Sequence, residues 1–149
     1  MFQVIVWATD GSAAAETALP YARGLAERGN GKLVVVHVEE HLVGAGVRGY
    51  PVRVDEDEVR ARVHRLVEEL KRDGLDVQLE EVKASAGGAA HAIAQFATMA
   101  NADLIVAGTR GHGPLAGLLL GSVAHRLLQI APCPVLTVPP RDRQRATAP

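Results

Sequence analysis

Five glycines, at 108, 111, 113, 117 and 121, fall within fourteen residues, and three of them form a spaced pattern: Gly108-Thr109-Arg110-Gly111, nine residues, then Gly121-Ser122. The chemistry this suits is anion binding. Glycine lets the main chain approach a ligand closely and leaves its N–H groups uncovered. The first amides of a helix opening at Ser122 carry partial positive charge and have no partners within the helix. Ser122 can donate its hydroxyl to a phosphate oxygen, or serve only to cap that helix. A connection this long in a small domain is more often functional or unstructured than a plain link.

Other residues offer weaker chemistry. Asp10-Gly11-Ser12 follows the first apolar run, where Asp10 suits a turn that caps a helix. Gly44-Ala45-Gly46-Val47-Arg48-Gly49 is a literal GxGxxG. It is followed by Tyr50-Pro51, which disfavours a helix, and it begins after Glu39–Val43 rather than at a strand end, so residues 43–54 read as a long loop. Lys32 follows Gly31, but no glycine lies five positions before Gly31 and no Ser or Thr follows, so there is no Walker A loop. His37 reads as structural, and His112 could approach a terminal phosphate. His41, His64, His91 and His125 lack paired metal-ligand spacing. Cys133, between Pro132 and Pro134, reads as packing, and a single cysteine rules out an internal disulfide and a Cys-based zinc site. No Ser–His–Asp order or GxSxG elbow occurs.

The elements that must position the glycine segment alternate. Val4–Ala8, Leu33–Val38, Leu104–Ala107 and Val135–Val138 are almost continuously apolar, as strands covered on both faces are, and Val77–Val82 alternates more weakly. Helical periodicity fills 13–28, 56–73, 88–100 and 122–131. Glu58/Arg62 and Glu68/Arg72 are spaced for i,i+4 pairs, and Gly74 is placed to end the second helix. Pro20, mid-pattern in the first helix, predicts a kink. The order β-α-β-α-β-α-β-α-β predicts a single-domain α/β fold: an open parallel five-stranded sheet with helices on both faces, binding its ligand beyond the strand C-termini where strand order reverses.

With 149 residues the chain suits one domain, residues 1–140, with 141–149 as a flexible tail carrying Arg141, Arg143 and Arg145. Aromatics make up only 3%, so the core must be aliphatic, and a net charge of −1 argues against a nucleic-acid partner. The start lacks a basic segment, and no apolar run approaches the ~18 residues of a membrane span. No membrane association and a cytoplasmic location are expected.

Gly-x-x-Gly-x9-Gly-Ser resembles the ATP-binding signature of the universal stress protein family. Asp10-Gly11-Ser12, His37-Val38, Ala102-Asp103-Leu104-Ile105-Val106 and Pro134-Val135-Leu136-Thr137-Val138 follow that family's pattern in order, so the resemblance covers about residues 2–139. It implies a Rossmann-like adenine-nucleotide-binding fold with strand order 3-2-1-4-5. It implies that Ala8, Thr9 and Asp10 border the nucleoside and that the Val38 backbone meets adenine. Gly108, Gly111, Gly121, Ser122 and Val123 would surround ribose and phosphates, with Thr109, Arg110 and Ala124 lining the same loop. The cofactor implied is ATP, with Mg²⁺ where Asp10, a carboxylate able to take ribose hydroxyls, also helps hold the metal. The family also implies homodimers through the fifth-strand edge.

The sequence departs from the family pattern at Ala8, where proline is frequent, at Pro20, and at Gly87-Gly88-Ala89, which loses a helix N-cap. None of these removes a phosphate-loop residue. The expected function is ATP-dependent regulation in a stress response, not enzymatic turnover, because beyond Arg110 no base or arginine clamp stands out. A homodimeric interaction module indifferent to nucleotide is the alternative. An adenylyl-transfer enzyme would need a longer Ser/Gly motif after strand one than Asp10-Gly11-Ser12-Ala13.

Overall fold

In the computed structural model, which describes residues 1–39, 56–84, 86–110 and 120–141, the apolar runs become five strands. They are β1 (Val4–Thr9), β2 (Lys32–Glu39), β3 (Val77–Lys83), β4 (Leu104–Gly108) and β5 (Val135–Val138). All neighbours pair in parallel, in the order β3-β2-β1-β4-β5. The parallel five-stranded α/β sheet expected from the sequence pattern is the observed one, in the strand order that the family resemblance implies. The GxGxxG at 44–49, the whole loop 43–54, Gly111, His112 and the tail beyond Arg141 lie outside the described residues.

Strand alternation divides the core. Ile5, Trp7, Leu33, Val35, Leu104 and Val106 face α1 (Ala13–Glu16), α2 (Leu19–Gly29) and α3 (Glu56–Arg72). Val6, Ala8, Val34, Val36, Ile105 and Ala107 face α4 (Gly88–Met99) and α5 (Ser122–Ile130). Trp7 is fully buried, and its indole Nε1 donates to the Ala15 carbonyl at 3.2 Å, tying α1 to β1. β3 is an edge strand, which explains its weaker pattern: Val77 alone among its residues is buried.

One expectation needs correction. The pattern over 13–28 is not one kinked helix but two, α1 and α2, with Pro20 in the first turn of α2. There its missing N–H is one of the amides a helix start leaves unpaired anyway, so proline costs little. The amides of Tyr21 and Ala22 both bond to the Ala18 carbonyl at 3.2 Å and start α2 past the break. The charge pairs on α3 also differ from i,i+4 spacing. Arg62 reaches Glu16 of α1 at 2.8 Å, and Lys71 takes Glu68 at 3.4 Å. Gly74 closes α3 with φ +89° as expected, and Gly87, the N-cap of α4, provides no side-chain cap.

Asp103 anchors the chain start. One carboxylate oxygen accepts the amides of Gln3 at 2.8 Å and Val4 at 2.9 Å. Those two bonds, Val4's first, hold its carboxyl below the usual carboxylate range. A depressed folded-state pKa gives stability that is present above the unfolded value and is lost as pH falls through the folded one. Asp103→Ala should therefore lower Tm at pH 7, and its deficit relative to wild type should shrink as pH drops below about 4. A deficit that stays constant from pH 7 to 2.5 in thermal melts would contradict this role.

Candidate functional site

The site is built at the C-terminal edge of the sheet, where β1 ends between β2 and β4. The chain leaves β1 through a tight turn. The Gly11 amide donates to Thr9 Oγ1 at 3.0 Å, the Ser12 amide to Asp10 Oδ1 at 2.9 Å, and Ser12 Oγ caps α1 through the Ala15 amide at 3.1 Å. Asp10 thus orders the turn through its carboxylate and is half-buried. Ala8 and Thr9 are buried in the strand below it.

Val38 forms the wall on the β2 side. In a parallel ladder, alternate residues turn their N–H and C=O to the same neighbour. The Lys32 amide donates to the Gln3 carbonyl on the β1 side and the Leu33 amide to the Asp76 carbonyl on the β3 side, so by alternation Val38 faces β1. The β1–β2 register ends at Thr9↔His37. The next rung would come from the Gly11 amide, but that amide is turned onto Thr9 Oγ1. The Val38 carbonyl therefore points into the gap left where β1 departs. His37 is structural: its Nδ1 lies 3.2 Å from the Thr9 carbonyl and pins the ends of β1 and β2 together. Because that carbonyl only accepts, the bond takes its proton from Nδ1. Nε2 is buried without a partner among the described residues.

The opposite wall is the end of β4 and the start of α5. A Cβ on Gly108 would lie 2.9 Å from the Ala14 carbonyl oxygen, so glycine is what lets α1 cross the end of β4. Thr109 joins three elements: its amide donates to Val138 of β5, and its carbonyl accepts the Gly121 amide at the head of α5. Thr109 Oγ1 is buried without a partner among the described residues. Arg110 is half-buried beside it.

Gly121 is the N-cap of α5, in extended conformation, with no side-chain cap. The first intrahelical bond runs from His125 to the Gly121 carbonyl at 2.9 Å. Ser122 is exposed, Val123 half-buried and Ala124 2% exposed. The last two side chains belong to the core beneath α5, so what residues 122–124 present at the helix start is their amides and the Ser122 hydroxyl.

The described members of the sequence-derived set thus lie together at the C-terminal ends of β1, β2 and β4 and at the start of α5, from Ala8–Asp10 and Val38 to Gly108–Arg110 and Gly121–Ala124. Gly111 lies outside the described residues. Sequence reasoning did not single out Trp7, which seats α1, or the residues of α3 that border the turn. Among the described residues, no group of three or more His, Cys, Asp or Glu could hold a metal ion. Cys133 packs at the opposite end of the sheet, and burial pushes its thiol up, away from nucleophilic character. Among the described residues, no helix is long and apolar enough to cross a membrane.

Comparison with known proteins agrees with this architecture. The model of the universal stress protein family matches residues 1–139. A universal stress protein encoded in the QAH/OAS sulfhydrylase 3' region of Thermus aquaticus is 36% identical over 141 residues, which cover 93% of this chain and 99% of that protein. The crystal structure of a universal stress protein in complex with cAMP is 25% identical and superposes with a TM-score of 0.67, covering 92% of this chain and 96% of the other. The protein MJ0577, at 23% identity, shares the fold with a TM-score of 0.77 over 95% of this chain and 99% of its own. A family match over all but the final ten residues, with a relative more than a third identical along nearly its whole length, makes this chain a member of the universal stress protein family.

Proposed function

We propose that the chain binds an adenine nucleotide, ATP, across the end of β1, and that the bound nucleotide shifts the balance of states that a protein partner reads in a stress response. A ligand can do this only through different affinity for those states. The observation that carries the reading is the head of α5. There, three first-turn amides and the Ser122 hydroxyl meet the end of β4, and among the described residues no side chain caps them. Such a helix start is an anion site by construction. At the far wall, the Val38 carbonyl would accept the amino group of adenine. The relative solved with cAMP supports an adenine ligand for this fold. Mg²⁺ would arrive with the nucleotide, held by its phosphates and the Asp10 carboxylate. The groups gathered here are main-chain donors and acceptors suited to holding a ligand, so the role proposed is binding with slow or no hydrolysis.

Titration with ATP tests this. Ser122→Ala removes a hydroxyl that bonds a charged oxygen and should weaken binding roughly tenfold. Gly121→Ala puts a Cβ 3.0 Å from the Thr109 carbonyl and should push α5 off the end of β4, with a loss of similar size. Equal affinity in wild type and both variants would remove the site assignment.

One observation favours a second reading. β5 is an edge strand only four residues long, and its Val135, Leu136 and Thr137 are half-exposed. An apolar edge of this kind invites pairing with a second copy. A homodimer whose mass and stability ignore ATP would favour an interaction module over a nucleotide-dependent one.

A further inference from the structure

We infer that Arg60 on α3 is a positioning residue for the base end of the proposed nucleotide site, holding the tip of β2, and with it the Val38 carbonyl, in register with the Asp10–Ser12 turn. This rests on the nucleotide reading above. It concerns an element on which the glycine pattern is silent.

β2 outruns β1. Its register with β3 continues through Val38↔Val82 and Glu39↔Lys83, whereas its register with β1 stops at His37. Past Thr9, β1 offers no partner to the tip of β2, so among the described residues Glu39 is held by β3 on one side only. Glu39, directly after Val38, accepts the Ala84 amide on its carbonyl at 3.2 Å. Its carboxylate, with a side chain only 14% exposed, is ion-paired with the Arg60 guanidinium, and Arg60 Nε lies 3.5 Å from Glu81 Oε1. One turn further along α3, His64 Nε2 meets the same Glu81 oxygen at 3.1 Å, keeping that carboxylate turned toward Arg60.

The residues beside Arg60 grip the other wall. Val59 lies against Gly11, whose φ is +78°. A Cβ on Gly11 would fall 2.4 Å from Val59 Cγ1. Arg62 takes both carboxylate oxygens of Glu16 on α1, at 2.8 and 2.9 Å. A single turn of α3 thus touches the β1–α1 turn, α1 and the tip of β2. Together these contacts set the width of the crevice between Asp10 and Val38.

Arg60 is itself 44% exposed, so its pairs add little to global stability. The consequence of its loss is local. A guanidinium can hold two carboxylates at fixed angles, and without it Glu39 turns to solvent and frees the tip of β2. The phosphate end is built by β4 and α5, which Arg60 does not touch. Losing Arg60 should therefore cost affinity for the base and spare affinity for phosphates. A merely structural role would not produce that split.

The test compares wild type, Arg60→Met, Arg60→Lys and Glu39→Gln in equilibrium titrations with ATP, GTP and inorganic tripolyphosphate, with circular dichroism confirming the fold. Arg60→Met should lose about five- to twentyfold in ATP affinity and narrow the preference for ATP over GTP by a similar factor. Tripolyphosphate affinity should stay within about twofold. Glu39→Gln should repeat the pattern, and Arg60→Lys should fall between. Unchanged ATP affinity and base preference in Arg60→Met and Glu39→Gln overturns the inference, as does an equal loss for tripolyphosphate. Wild type failing to bind ATP would instead overturn the nucleotide reading, and the base-end role with it.

Discussion

Replacing Ser122 by glutamate is expected to abolish ATP binding while leaving the fold at least as stable. Ser122 is exposed and is the first residue of α5, a helix with no acidic residue in its first turn. A carboxylate there interacts favourably with the helix dipole, by about 0.3–1 kcal/mol, so Tm should hold or rise slightly. The same carboxylate would occupy the space proposed for a phosphate. Juxtaposed like charges cost several kcal/mol, which corresponds to at least ~100-fold in affinity. Stability and binding then move in opposite directions, which general damage to the fold does not produce. Thermal melts together with ATP titration read both. Retained affinity in a folded Ser122→Glu would mean that the phosphates lie elsewhere.

The second large effect is on stability. Trp7→Ala should destabilise the chain by about 3–5 kcal/mol. Trp7 is fully buried, is the sole tryptophan, and joins β1 to α1 through its bond to the Ala15 carbonyl. A domain of ordinary stability, about 5–15 kcal/mol, loses a large share of its margin by this change. The urea midpoint, followed by circular dichroism, should fall by roughly 2 M. Trp7→Phe keeps much of the ring volume and removes the N–H bond, so it should cost only about 1–2 kcal/mol. Because α1 also crosses Gly108, Trp7→Phe should weaken ATP binding beyond what its stability loss explains. An Ala variant within 1 kcal/mol of wild type would show that α1 does not depend on this anchor.

The sheet was legible because its inner strands are buried on both faces. Leu104–Ala107 has no polar residue and Leu33–Val38 only His37, so neither shows a helical period, and the structure extends them by only a residue or two. Pro20 misled because apolar spacing continues through it, whereas whether proline sits inside a helix or in its first turn depends on where the preceding helix stops. Thr17 and Ala18 decide that by staying near-helical without continuing the ladder.

At the candidate site, the glycines and Asp10 could be read from local spacing, since each acts through its own backbone or the next two residues. Arg60, Glu39 and Glu81 could not. Their meeting depends on the His37↔Glu81 register and on how α3 lies across the sheet, and neither has a local signature. The placement of Val38 depends on a rung the ladder lacks, which appears only once β1 is seen to end at Thr9.

The most direct measurement is a titration of the ¹⁵N-labelled wild-type chain with ATP, followed amide by amide. Saturable shifts should concentrate at Gly108, at Gly121 through Ala124, and at Val38 and Glu39, with the buried amides of α4 unmoved. If those positions stay still while ATP reaches millimolar concentration, or if saturable shifts gather on another face, the crevice at the end of β1 is not a nucleotide site.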